Sequence, residues 1–203
     1  MGVDFLHFIA PGILMMTVIQ NAFANTSSSI VIAKVQGNII DTLMPPLAPW
    51  EILVGYLVGA IARSLLVAVV IALGLFLALG QGIAHPFWAI TWVVLGATFM
   101  GGLGILAAVF AEKFDQMAAI TNFIITPLSF LSGTFYSAKA LPPGFQILTH
   151  YNPVFYLIDG ARYGFLGVSD SSPWHGVAVV GPAIVLVLAL AWYWLRIGYR
   201  MKA

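Results

Sequence analysis

The chain has 203 residues, 61% of them hydrophobic and 7% charged, with a mean hydropathy of +1.00; soluble domains are about 45–50% apolar and about 25% charged, so a water-soluble fold is excluded. Eight Lys and Arg against seven Asp and Glu leave a net charge of +1, which provides no basic face for a nucleic-acid partner. The sequence contains no Cys, which removes disulfides, iron–sulfur clusters and thiolate zinc sites and leaves helix packing to hold the fold.

Met1-Gly2-Val3-Asp4-Phe5 places an acid where a secretory signal is basic, and the apolar run behind it is too long for an h-region. It is expected to be a span rather than a cleaved leader. A hydrocarbon core about 30 Å thick takes roughly 20 apolar residues per helix. On that measure about five spans are expected, over 8–28, 56–79, 87–110, 118–136 and 177–197. The fold class is then all-α, a single polytopic transmembrane domain over 1–203. Lys34, Lys113, Arg196, Arg200 and Lys202 fall on one side of such a bundle and only Lys139 and Arg162 on the other. Because basic loops stay in the cytoplasm, the N-terminus is expected outside. Trp50, Phe87, Trp88, Trp92, Tyr136, Trp174, Trp192 and Trp194 lie near the span ends, as aromatic belts require.

Two connections are longer than turns. In the inner segment 30–48, Ile32, Val35, Ile39 and Leu43 recur at helical spacing with Lys34, Asn38 and Asp41 on another side, and Pro45, Pro46 and Pro49 follow. This predicts a short amphipathic helix over Ile30 to Met44, lying along the inner surface. The outer segment 137–175 is moderately apolar but broken by Pro142, Pro143, Pro153 and Gly160. It reads as one or two short re-entrant helices dipping into the outer leaflet, with a sixth full span as the alternative.

The order and spacing of Pro127, Phe130, Leu131, Ser132, Gly133, Phe135, Leu141, Pro142, Phe145, Gln146, Leu148, Asn152, Pro153, Tyr156, Asp159, Arg162 and Gly167 resemble the signature of type-2 ABC transporter permeases. Pro11, Gly12, Pro46, Leu47, Trp50, Glu51 and Gly55 fit the same pattern upstream. The resemblance implies a membrane subunit of a bacterial inner-membrane exporter that works as a homodimer in the lipid bilayer, each copy docked on a separate ATP-binding subunit that holds the ATP and Mg. Relatives export drugs, lipids, nodulation factors or polysaccharides. The inner amphipathic stretch would be the coupling helix, with Lys34, Gly37 and Asp41 as its coupling residues. The stretch from Leu141 to Gly167 would be the outer gate, carried by Pro142, Pro153, Tyr156, Asp159 and Arg162. Measured against the family's six spans, the chain opens at what resembles the second, and its coupling stretch has fewer Arg and Glu than many relatives carry.

The sequence has no Gly-x-x-x-x-Gly-Lys-Ser/Thr run, so ATP hydrolysis would need another chain and no cofactor is expected here. The spans offer no Ser–His pair and no paired carboxylates, which argues against an intramembrane enzyme. Every Asp and Glu lies in or beside a loop, which argues against the alternative of an ATP-independent secondary transporter or channel. His7, His85, His150 and His175 lack metal-ligand spacing and are expected as interfacial residues.

Arg63 is the intramembrane charge. It either snorkels to the inner surface or pairs within a dimer, or else it lines the substrate path. Asp159 and Arg162, three apart, are expected to pair at a wet interface, worth about 0.2–0.5 kcal/mol. Gly55 and Gly59 form a small-residue face for packing within the chain or for dimer contact, and Gly101, Gly102 and Gly104 thin the third span. Gln20, Asn21, Asn25 and Thr26 are expected either to bond to neighbouring helices or to line a polar path. Pro127 is expected to kink the fourth span, as a hinge or as a fixed bend, with Thr126 or Ser129 helping to satisfy the freed carbonyl.

Overall fold

The computed structural model describes residues 5–39, 46–136, 142, 146 and 149–200, whose regular structure is entirely helical. Six helices follow in chain order: α1 (Phe5–Val35), α2 (Pro49–Leu79), α3 (Pro86–Phe110), α4 (Phe114–Thr134), α5 (Pro153–Leu166) and α6 (Pro173–Ile197). All but α5 are long and apolar enough to cross a membrane. The chain is thus an all-α polytopic bundle. Proline at the first helical position starts α2, α3, α5 and α6, where its missing N–H costs nothing.

Helix α3 is the axis of the bundle, and its glycines explain why. A Cβ on Gly104 would stand 2.6 Å from the Phe23 carbonyl of α1, one on Gly102 would stand 2.8 Å from Val187 of α6, and Gly101 faces Ala60 of α2. Three helices therefore approach α3 closely, and the Thr26 hydroxyl of α1 donates to the Gly101 carbonyl at 2.8 Å. Buried across these contacts are Met15, Ile19, Phe23, Met100, Ile105, Ala191 and Trp92. In contrast, only 17% of the most apolar window of α2 is buried, although that window has the highest mean hydropathy of the five, 2.5. Most of α2 is therefore free to face lipid or another chain.

The structure corrects three boundaries. Helix α1 does not stop near Ser28: Ile30 to Val35, expected to open a separate amphipathic helix, continue it, and Ile30 and Val31 are fully buried. The three serines before them stay helical because their hydroxyls donate to carbonyls one turn back, Ser28 to Ala24 at 2.5 Å and Ser29 to Asn25 at 2.7 Å. The chain leaves α1 only at Gly37, whose φ of +76° suits glycine. Helix α2 begins at Pro49 rather than near Tyr56, since the Glu51 carboxylate accepts from the Ala48 N–H at 2.7 Å and closes its first turn.

The third correction concerns the outer segment. Helix α5 is not a helix lying in lipid, because its residues from Val154 to Arg162 are all buried. Gly160 sits against the Trp92 ring, and a Cβ on Gly164 would meet the Ala89 backbone at 2.6 Å. These two glycines let α5 seat into the end of the bundle.

Helix α4 widens on both sides of Pro127, and its backbone leaves helical geometry at Ser132 and Gly133. Thr121–Ile125 and Phe130–Thr134, on either side of Thr126–Ser129, are π-helical turns. Pro127 has no N–H to give the Phe123 carbonyl, and in the turn before it the Thr126 N–H bonds five residues back, to the Thr121 carbonyl. The Ser129 hydroxyl donates to the Ile125 carbonyl at 2.8 Å and the Thr134 hydroxyl to that of Ser129 at 2.7 Å.

Candidate coupling end and clamp

Two clusters of polar residues occupy opposite ends of the bundle. At one end Lys34, in the last turn of α1, does not project outward. Its ammonium donates to the carbonyls of Ala108 at 2.8 Å, Val109 at 2.9 Å and Ala111 at 3.4 Å. Those are the unpaired acceptors at the C-terminus of α3, where the helix dipole also favours a cation, and a lysine has three donors to give. The side chain thus ties the end of α1 to the bend between α3 and α4. Gly37 follows on an exposed turn with open space where a Cβ would stand, and Asp41 lies outside the described residues. Arg200 lies over the Phe110 ring, 5.6 Å from Cζ to centroid, and Arg196 over Trp192 at 5.2 Å, so the basic residues of α6 gather at the same end.

The opposite end is built on Arg162 and Asp159, both about 1% exposed. The Arg162 guanidinium donates to the Gly133 carbonyl at 2.8 Å, lies 4.0 Å from the Phe8 ring centroid and approaches the Asp159 carboxylate to 3.8 Å. Gly133 turns out of α4 with φ +83°, which suits glycine and aims its carbonyl at Arg162. The Asp159 carboxylate in turn accepts from the backbone N–H of Asp170 at 2.8 Å and of Ser171 at 2.9 Å, and from the Ser171 hydroxyl at 3.0 Å. Burial pushes this carboxyl up from its ordinary range and those hydrogen bonds pull it back. Two adjacent turns of α5 therefore hold the start of α1, the tip of α4 and the loop into α6.

Of the other residues expected at the gate, Pro153 and Tyr156 share α5 with this pair. Pro153 opens α5 behind an Asn152 cap, whose carbonyl oxygen accepts from Val154 N–H at 3.0 Å and whose amide donates to the Ser132 hydroxyl of α4 at 2.8 Å. Tyr156 is buried and its hydroxyl donates to the His150 carbonyl at 3.0 Å. Pro142 is exposed, and its carbonyl accepts from the Gln146 N–H at 3.1 Å. The Asp159–Arg162 pair is not at a wet interface as its spacing suggested, because α5 is buried by Trp92 and by the tip of α4. The caps at Asp170 and Ser171 and the Phe8 contact were not read from sequence; they join residues far apart in the chain, and no local pattern marks them.

Arg63 lies near neither end. It is the fifteenth residue of the 31-residue α2, about 21 Å from Pro49, and its Nη1 donates to the Asn25 amide oxygen at 3.3 Å. Asn21 bonds within its own helix, to the Thr17 carbonyl at 3.0 Å, whereas the buried Gln20 Nε2 has no partner among the described residues. Gly55 faces open space, so it does not pack within the chain, and Gly59 stands near Asn25.

The ABC-2 type transporter family matches residues 2–166, and the chain belongs to it. It is 39% identical over 203 residues to the inner membrane transport permease YadH of Escherichia coli (strain K12), covering 100% of this chain and 79% of that protein. It is 26% identical over 170 residues to the probable multidrug ABC transporter permease YbhR of the same organism, covering 81% of this chain and 45% of the relative. Nodulation protein J of Rhizobium leguminosarum bv. viciae is 25% identical over 171 residues, covering 82% of this chain and 64% of the relative. The chain is therefore the membrane subunit of an ABC transporter, a class that works with an ATP-binding partner.

Proposed function

We propose that the chain is the permease of an ATP-driven exporter in the bacterial inner membrane, moving a drug-like, lipid or glycan molecule outward from the cytoplasm or the inner leaflet. The observation that carries this reading is the family match over most of a chain that has no phosphate-binding Gly-rich loop of its own. Its relatives include a probable multidrug ABC transporter permease and a nodulation protein, which supports an amphiphilic cargo. Two copies form the pathway, each with an ATP-binding subunit on the cytoplasmic side.

Lys113, Arg196 and Arg200 gather with Lys34 at one end, and the positive-inside rule makes that end cytoplasmic. There the turn at Gly37 and the segment holding Asp41 receive the motor's stroke. Lys34 passes it to the bend between α3 and α4. At the outer end Pro142, Pro153, Tyr156, Asp159 and Arg162 belong to a gate, with the Arg162 clamp holding α5 against α1 and α4. The test is ATP hydrolysis in vesicles that hold the permease with its co-purified ATP-binding subunit. Vanadate-sensitive hydrolysis that rises with an amphiphilic cargo is expected; transport that proceeds without nucleotide would favour a secondary transporter.

A further inference from the structure

Arg63 stands halfway along the most apolar helix of the bundle and on its outside. A guanidinium there, on the apolar outer surface of a span, is costly to leave facing lipid without a partner. Its partner Asn25 is likewise inside a span, ten residues, about 15 Å, from Val35 at the end of α1. The site has room beside it. Gly59 and Gly55, one and two turns toward Pro49 on the same face of α2, leave that face bare, and next to Asn25 on α1 the partly exposed Thr17, Asn21 and Ser28 continue a polar stripe.

Among the described residues Arg63 is also without a countercharge: no carboxylate is within ion-pair distance of it, and each described acid lies near an end of the bundle. Glu51 is in the first turn of α2, Glu112 and Asp115 flank the bend between α3 and α4, and Asp159 and Asp170 belong to the opposite end. A second copy related by a two-fold axis normal to the membrane keeps every residue at its own depth, so it brings none of these acids to Arg63.

We propose that Arg63 and Asn25, facing outward between α1 and α2, form a binding site for the acidic group of an anionic amphiphile, a phosphate or carboxylate on an apolar tail. The guanidinium supplies a planar fork for the oxyanion, and the amide of Asn25 orients that fork and adds a donor. The tail lies along the apolar surface of α2. This deepens the permease reading, on which it rests, by giving the carried molecule a chemical class.

The test uses the purified chain in phosphatidylcholine nanodiscs, titrated with radiolabelled dodecyl phosphate and in parallel with dodecanol and dodecyltrimethylammonium. Saturable binding of the phosphate alone is expected. Arg63→Met weakens it on the order of tenfold or more and Arg63→Lys by less, while Asn25→Ala falls between wild type and Arg63→Met. Equal binding of dodecyl phosphate by wild type and Arg63→Met, or equal binding of dodecanol and dodecyl phosphate by wild type, overturns the site. If Arg63→Met does not fold, the wild-type comparison and Arg63→Lys still decide. Repeating the titration with phosphatidylglycerol in the disc separates two sources of the same chemistry. Competition identifies a bilayer phospholipid as the occupant, and its absence a single-chain amphiphile. None of these readings needs the motor, so failure of an ATP-binding subunit to co-purify would remove the permease reading and leave the binding result standing.

Discussion

Arg162 and Lys34 are both cations spent on backbone carbonyls, and the difference in burial sets how much each matters. Arg162 and Asp159 are both sealed from water, and removing one partner strands the other. Arg162→Ala is expected to lose about 3–5 kcal/mol of stability, read as a drop in the thermal unfolding midpoint in detergent. The double variant Asp159→Asn with Arg162→Met should recover part of that loss, since it leaves no uncompensated charge. Lys34 is only half-buried, and its three carbonyls belong to a helix end that water can also solvate. Lys34→Met is expected to cost about 0.3–2 kcal/mol by the same measurement, with Lys34→Arg near wild type. Of this chemistry the sequence disclosed the identity of the residues but not their orientation. The i, i+3 spacing of Asp159 and Arg162 predicted the pair, yet it could not show that Gly160 and Gly164 would draw α5 into the bundle and dry the pair out.

At the scale of the helices, close approach is decided by what stands opposite each glycine. A Cβ on Gly12 of α1 would lie 2.6 Å from the Thr134 carbonyl at the tip of α4, and backbone cannot give way as a side chain can. Gly12→Ala is expected to destabilise by about 1–3 kcal/mol. Gly55→Ala is expected to be neutral or slightly stabilising in the isolated chain, because nothing faces it and alanine favours a helix. The two unfolding midpoints, compared side by side, check this contrast. Hydropathy made the five long helices legible, since their length and apolar content are local properties. The helix ends were harder to read. Ser27, Ser28 and Ser29 resemble a stop in sequence but bond back into α1, and the polar Pro49-Trp50-Glu51 start of α2 is helix capped by its own carboxylate. Pro127 was expected to kink α4, but the helix only widens on either side of it and breaks five residues later, at Ser132 and Gly133.

For the molecule as a whole, the bundle has one firmly tied axis and one loosely covered flank. Helix α3 is enclosed by α1, α2, α5 and α6, while α2 keeps most of its apolar surface, and Arg63 within it, open to the outside. That asymmetry suits the proposed function, in which a second permease stands beside the chain and a motor beneath the end that carries Lys34. The measurement that tests this most directly is the intact mass of the complex, purified on this chain in mild detergent. The account predicts two copies of the permease with two copies of an ATP-binding subunit. A stable assembly of this chain that carries no ATP-binding subunit would contradict it.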